Sequence, residues 1–127
     1  MGKVVLDASA LLVLLNDESG SASVEAVLPG AAISAVNLSE VVAKLADRSV
    51  PLEIISTALL SLGLEVHPFD QEMAFVAGSL RPKTRSAGLS FGDRGCLALA
   101  LLLSRTVLTA DKSWKNLRLG VKIRLVR

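Results

Sequence analysis

Two short apolar runs that each end on a carboxylate constrain this chain more than any other feature. Val4-Val5-Leu6 stops at Asp7, and Val107-Leu108-Thr109-Ala110 stops at Asp111. Their length and β-branched content read as strands rather than helices. A strand with no polar alternation belongs in a parallel sheet covered on both faces. Helical-period segments alternate with such strands along the chain, the pattern of βαβ units in an α/β fold.

The segmentation follows from periodicity and breakers. A strand over 4–6 leads to a leucine-rich helix over 8–15, then a polar break at Asn16-Asp17-Glu18-Ser19-Gly20 and a short helix ending at Pro29-Gly30. A strand over 32–34 precedes a helix over 37–47, with Leu38, Val41, Val42 and Leu45 on its core face. Pro51 suits the first turn of the next helix, where Leu52, Ile55, Leu59 and Leu62 recur at helical spacing. A strand over 65–67 and a helix opened by Asp70 follow, the latter with Met73, Ala77 and Leu80 on one face. Residues 81–88 carry Arg81, Lys83 and Arg85 without an apolar anchor and are expected to form a mobile basic loop. The most apolar helix is expected over 90–104, a strand over 106–109, and a half-exposed edge strand over 121–126.

At 127 residues a single domain spanning 1–127 is expected, large enough to bury a core. Apolar residues make up 51% of the chain, yet the run Leu97–Leu103 falls well short of the roughly 20 residues that span a bilayer. No secretory leader pattern opens the chain, and Cys96 stands alone, so a cytoplasmic protein without disulfide or thiolate cluster is expected. Charge is divided unevenly. Residues 1–80 sum to −7 and residues 81–127 to +9, and the only acids in the second part are Asp93 and Asp111. A basic surface sparing two carboxylates suits an anionic polymer held beside a metal site, although it also suits plain solvation or an acidic partner.

Asp7, Glu40, Asp93 and Asp111 each stand at a junction between apolar segments. Each has a capping explanation: Asp7 and Asp111 follow strands, while Asn37–Glu40 and Ser90–Asp93 have capping-box spacing. Together they argue for more. In an open parallel sheet, strand ends and helix starts share one edge, where ligands bind. Carboxylates about 5 Å apart would repel by roughly 3 kcal/mol per pair at an effective dielectric near 20. Caps alone could be Ser or Asn, without that cost. Hard divalent cations take oxygen ligands, so Mg²⁺, with Mn²⁺ as a substitute, is the expected cofactor.

Other nucleophiles and bases are scarce. His67, the sole histidine, reads as a partly buried structural residue, Cys96 as an inert thiol inside an apolar helix, and Trp114 as a packing residue. A metal-activated water is therefore the best available nucleophile. Candidate phosphate contacts are Arg81, Lys83, Arg85, Arg94, Lys112 and Lys115.

The segments Val-Val-Leu-Asp7-Ala-Ser9-Ala-Leu, Asn37-Leu-Ser-Glu40-Val, Leu89-Ser-Phe-Gly-Asp93-Arg-Gly-Cys-Leu-Ala-Leu-Ala and Val107-Leu-Thr109-Ala-Asp111-Lys-Ser-Trp114 closely resemble those of PIN-domain ribonucleases, and more narrowly VapC-type toxins of toxin–antitoxin pairs. The resemblance spans almost the whole chain with the motifs in order. It implies a three-layer α/β/α fold over a parallel sheet of about five strands, and a metal-dependent endoribonuclease. It also implies that Asp7, Glu40, Asp93 and Asp111 surround the metal, with Ser9 and Thr109 in support. A VapB-type antitoxin partner and a homodimer are implied as well. Alternatives are a catalytically silent RNA-binding or antitoxin-docking domain of that fold, and a phosphoacceptor module resembling a response-regulator receiver. The receiver is disfavoured because Asp7 is single and Glu40 lies on a helix.

Overall fold

The computed structural model describes residues 3–127. Five parallel strands, β1 (Val4–Leu6), β2 (Ala32–Ser34), β3 (Glu65–His67), β4 (Thr106–Thr109) and β5 (Ile123–Leu125), form one sheet in the order β3-β2-β1-β4-β5. The chain leaves β1 toward β2 on one side and returns to β4 on the other. The switch in direction therefore falls between β1 and β4, whose register pairs Leu6 with Leu108.

Seven helices flank the sheet among the described residues: α1 (Ala8–Leu15), α2 (Ser21–Val27), α3 (Ala35–Asp47), α4 (Leu52–Leu60), α5 (Gln71–Ser79), α6 (Arg81–Thr84) and α7 (Phe91–Leu103). One face of the sheet, through Val5, Ala32 and Val107, packs on α5 and α7. The opposite face, through Val4, Leu6, Leu108 and Ile33, packs on α1 to α4. Three layers result. The central strands have no exposed apolar side chain, as the lack of alternation in their sequences requires. Residues 95–100 of α7 are buried without interruption, so this helix is covered on most sides. No helix among the described residues is long and apolar enough to cross a membrane.

Four expectations need correction. Residues 81–88 are not a mobile loop: Arg81–Thr84 form the short α6, and Thr84 is buried with its hydroxyl donated to Leu80 O at 2.9 Å. A threonine that satisfies its own hydroxyl within one turn can serve as the anchor that apolar counting missed. Helix α3 begins at Ala35 with Ser34 as its cap, so Asn37 lies inside the helix and caps nothing. Pro51 stands just ahead of α4, as its cap residue, rather than within its first turn. The edge strand is shorter than expected, Ile123–Leu125, and pairs in parallel with β4.

Candidate active site

At the carboxyl edge of the sheet, beside the β1–β4 switch, lies a cavity of about 210 Å³. Its lining includes Asp7, Glu40, Asp93 and Asp111, together with Ser9, Asn37 and Lys44. Four acids separated by as many as 104 positions are thus brought to one place by β1, α3, α7 and β4.

Asp7 is the most deeply set, with 4% of its surface exposed. It caps α1 through Oδ1, which accepts from Ala10 N at 2.9 Å and from the Ser9 hydroxyl at 2.7 Å. Its Oδ2 accepts from the Thr109 hydroxyl at 2.6 Å. Both hydroxyls are in turn fed by backbone amides. Ala110 N donates to Ser9 Oγ at 3.0 Å and Asp111 N to Thr109 Oγ1 at 3.0 Å. Each amide–hydroxyl–carboxylate relay polarises toward Asp7. Burial nevertheless dominates: it raises the Asp7 carboxyl from 3.8 to about 6, against the lowering pull of Thr109, Ala10 and Ser9, with a further upward push from Asp93.

The other three acids share a pattern in which one oxygen is structural and the other has no protein donor among the described residues. Asp93 closes the capping box of α7, its Oδ2 accepting from Ser90 N at 2.8 Å. Asp111 caps the 3₁₀ turn Lys112–Asn116, its Oδ1 accepting from Ser113 N at 2.9 Å and Ser113 Oγ at 2.7 Å. Glu40, in the second turn of α3, accepts at Oε1 from Asn37 Nδ2 at 2.8 Å. Capping and ligation are therefore compatible on the same side chain. The donor chemistry of the cavity, all oxygen and mostly anionic, fits a hard divalent cation. As the side chains stand, no three ligating groups among the described residues are drawn close enough to form a finished metal-ligand set.

Sequence reasoning missed three participants. Asn37, read there as a cap, instead bridges α3 to α7 by donating to both Glu40 and Gly92 O, the latter at 3.0 Å. Gly92 provides the floor for Glu40: a Cβ there would lie 2.5 Å from Glu40 Oε1. Lys44 lines the cavity one turn after Glu40, yet no ion pair among the described residues joins them. The three-residue spacing of Asn37 and Glu40, which places both on one helix face, was the signal available for the first. Gly92 carried none, and the four-residue spacing of Lys44 from Glu40 pointed to an ion pair rather than to a lining residue.

None of the six basic residues singled out for phosphate contact lines the cavity. Arg81 and Lys83 on α6, Arg85 after it, and Lys112 and Lys115 after Asp111 are exposed around it in sequence. Arg94 turns to the protein instead. Its guanidinium donates to Ala77 O at 3.2 Å and lies 6.0 Å from the Phe91 ring centre, while Phe91 meets Phe69 edge-on at 5.2 Å. Trp114 is fully buried, so it packs. Cys96 is buried, and burial pushes its thiol well above the ordinary range, with Asp7, Asp93 and Glu40 adding to the rise. His67 pairs with Glu65 at 2.7 Å on the edge strand β3 and does not line the cavity.

Comparison with known proteins follows the same lines. The fold superposes on a toxin–antitoxin complex from Klebsiella pneumoniae with a TM-score of 0.77 at 21% identity, covering 98% of each chain. DNA-bound VapBC from Salmonella typhimurium gives 0.76 at 19% identity with 100% of each chain covered. VapBC2 from Rickettsia felis, bound to a promoter DNA fragment, gives 0.76 at 20% identity and 98% of each chain. No curated protein is similar enough in sequence to count as a match. The PIN domain family model, however, matches residues 4–119, a span that contains all four acids of the cavity. By that match, nearly end to end, the chain belongs to the PIN-domain family.

Proposed function

We propose that this chain is a VapC-type toxin, an endoribonuclease that uses Mg²⁺ or Mn²⁺ and is restrained by a VapB-type antitoxin. The observation that carries the reading is the single cavity into which four carboxylates from distant segments are placed, three of them with an oxygen to spare. Likeness of fold to the toxin–antitoxin complexes above supports the partner, and a homodimer accords with the same resemblance.

Asp7, Glu40, Asp93 and Asp111 would hold the cation. Bound there, it supplies an activated water and offsets charge on the scissile phosphate. The chain itself contributes placement. Ser9 and Thr109 hold Asp7 between β1 and β4, Ser90 fixes Asp93 at the start of α7, and Ser113 fixes Asp111. Hydrolysis by water leaves 3′-hydroxyl and 5′-phosphate ends and does not call on the RNA 2′-hydroxyl.

Purified protein freed of antitoxin should cleave RNA with Mg²⁺ or Mn²⁺ and stop in EDTA, and Asp93→Ala should abolish cleavage with the fold retained. End-group analysis of the products checks the chemistry. Cleavage undiminished by EDTA would defeat the proposal. A silent RNA- or antitoxin-docking domain is the second reading, favoured by the lack of three converged ligands among the described residues; it requires the native chain to leave RNA uncut with Mg²⁺ or Mn²⁺ present.

Lys44, which lines the cavity, and the exposed Arg81, Lys83, Arg85, Lys112 and Lys115 are the phosphate contacts of this reading. Lys44→Ala should weaken RNA binding and reduce the slope of log affinity against log salt by about 0.7, one contact on a single strand. Arg94→Ala should leave that slope unchanged and lower the unfolding midpoint, because its guanidinium is spent on Ala77. Fluorescence anisotropy over a salt series separates the two.

A further inference from the structure

We propose that Asn37 is a positioning residue that pins Glu40 for cation binding and offers its own carbonyl oxygen to a water that enters with the cation. The inference rests on the metal-site reading above and deepens it.

Asn37 is 1% exposed, lies inside α3, and lines the acidic cavity. Helix formation does not ask for it, since Ser34 caps α3. Its amide nitrogen faces two acceptors, Glu40 Oε1 at 2.8 Å and Gly92 O at 3.0 Å. Turning the amide over would set an oxygen against two oxygens, so the network fixes which atom is which. The remaining atom, Oδ1, is then a buried acceptor with no partner among the described residues. Buried polar atoms are nearly always paired, and one left open beside a cavity is suited to a donor that arrives with a ligand.

The choice of an amide has a chemical reason. Glu40 is an exposed residue on a helix and would otherwise sample several rotamers. A lysine or arginine could restrain it, but would neutralise the charge that a cation needs. A neutral donor restrains Oε1 and leaves the carboxylate anionic. Through Gly92 O the same amide ties α3 to the first turn of α7, which carries Asp93 at the next position. Asn37 therefore sets the spacing of two acids contributed by different elements. Groups that orient ligands in this way typically change metal affinity by about 10- to 100-fold when removed.

Mn²⁺ binding to the purified full-length chain, followed by electron paramagnetic resonance, tests this without reference to cleavage. Asn37→Ala should weaken Mn²⁺ binding about tenfold. In a Glu40→Ala background the same substitution should cost much less, because a residue acting through Glu40 has nothing left to position. Asn37→Asp, which adds negative charge but removes the donor, should also bind more weakly than the native chain, and it serves if the alanine variant fails to fold. Native-like affinity in Asn37→Ala, an undiminished effect in the Glu40→Ala background, or tighter binding by Asn37→Asp would each overturn the inference. Asp93→Asn is the control on the parent reading. If it binds Mn²⁺ as the native chain does, the metal site itself is misplaced; if it loses binding while Asn37→Ala keeps it, only the role of Asn37 fails.

Discussion

In EDTA at pH 7.5, Asp7→Asn should unfold later than the native chain while losing RNA cleavage. Burial is the reason. The folded chain holds the Asp7 carboxyl at about 6, whereas an unfolded chain returns it to the ordinary 3.8. Below the lower value both states are protonated and the group contributes no penalty. Between the two, the folded state keeps a proton that the unfolded state has released, so stability falls as pH rises. Above about 6 the whole penalty is present, of order 3 kcal/mol for a shift of about two units. Asparagine carries no charge to bury. It keeps an acceptor for Ala10 N and Ser9 but gives up the charge-assisted bond from Thr109, which offsets part of the gain. A net gain of about 1–2 kcal/mol is expected, worth roughly 4 °C per kcal/mol in a domain of this size.

The pH dependence separates this account from a general packing effect. Urea unfolding across pH 4–8 should show the two proteins converging near pH 4 and diverging steadily to about pH 7. Cation binding requires the ionised form, so Mn²⁺ affinity of the native chain should weaken as pH falls below about 6. A variant that is less stable than the native chain at pH 7.5 would show that the charge-assisted bond from Thr109 outweighs the cost of burying the charge. Greater stability with lost activity is the pattern expected when a site stores unfavourable charge for function.

The strand framework was legible because its strands are unusually plain. Val4–Leu6 and Thr106–Thr109 have no polar alternation, which leaves a covered parallel sheet as the remaining option, and their following carboxylates mark the functional edge. Helix α7 was equally legible, from the Ser90–Asp93 box to the unbroken apolar stretch. Asn37 was misread because the spacing of a capping box is also the spacing of two side chains on one helix face. Only the position of Ser34 at the end of β2 decides between them, and that depends on where the strand stops. Thr84 was misread because its burial is satisfied locally, by Leu80 O, and leaves no apolar trace. Lys44 could be seen as a possible partner of Glu40 but not as a lining residue, since the cavity is made by chain segments that meet only after folding. The same limit hid the division of labour between carboxylate oxygens: the sequence offers capping or ligation as rivals, and the geometry gives each to a different oxygen.

Gly92→Ala should reduce RNA cleavage about 100-fold and leave the fold nearly untouched, an outcome that helix propensity alone would reverse. Gly92 sits in the first turn of α7 with no left-handed backbone angle, so alanine is compatible with its conformation. In a helix alanine is normally favoured over glycine by about 1 kcal/mol. The obstacle lies across the interface. A Cβ at position 92 would stand 2.5 Å from Glu40 Oε1 and 2.6 Å from both Cδ and Oε2, so the carboxylate lies against the bare glycine backbone. Glu40 is the flexible end of an exposed side chain and can swing away at small energetic cost, taking its hydrogen bond to Asn37 with it. Stability is thereby spared while one wall of the acidic cavity is displaced by an ångström or more, a misplacement that commonly costs about 100-fold in rate. Gly95 in the same helix is the matched control. A Cβ there meets Val36 and Phe69 at 3.7 Å and beyond, ordinary contact distance, so Gly95→Ala should cleave normally. Cleavage rates and unfolding midpoints of both variants decide the matter: native activity in Gly92→Ala would mean that the position of Glu40 is irrelevant to the reaction, and equal losses in both would point to disturbance of α7 as a whole.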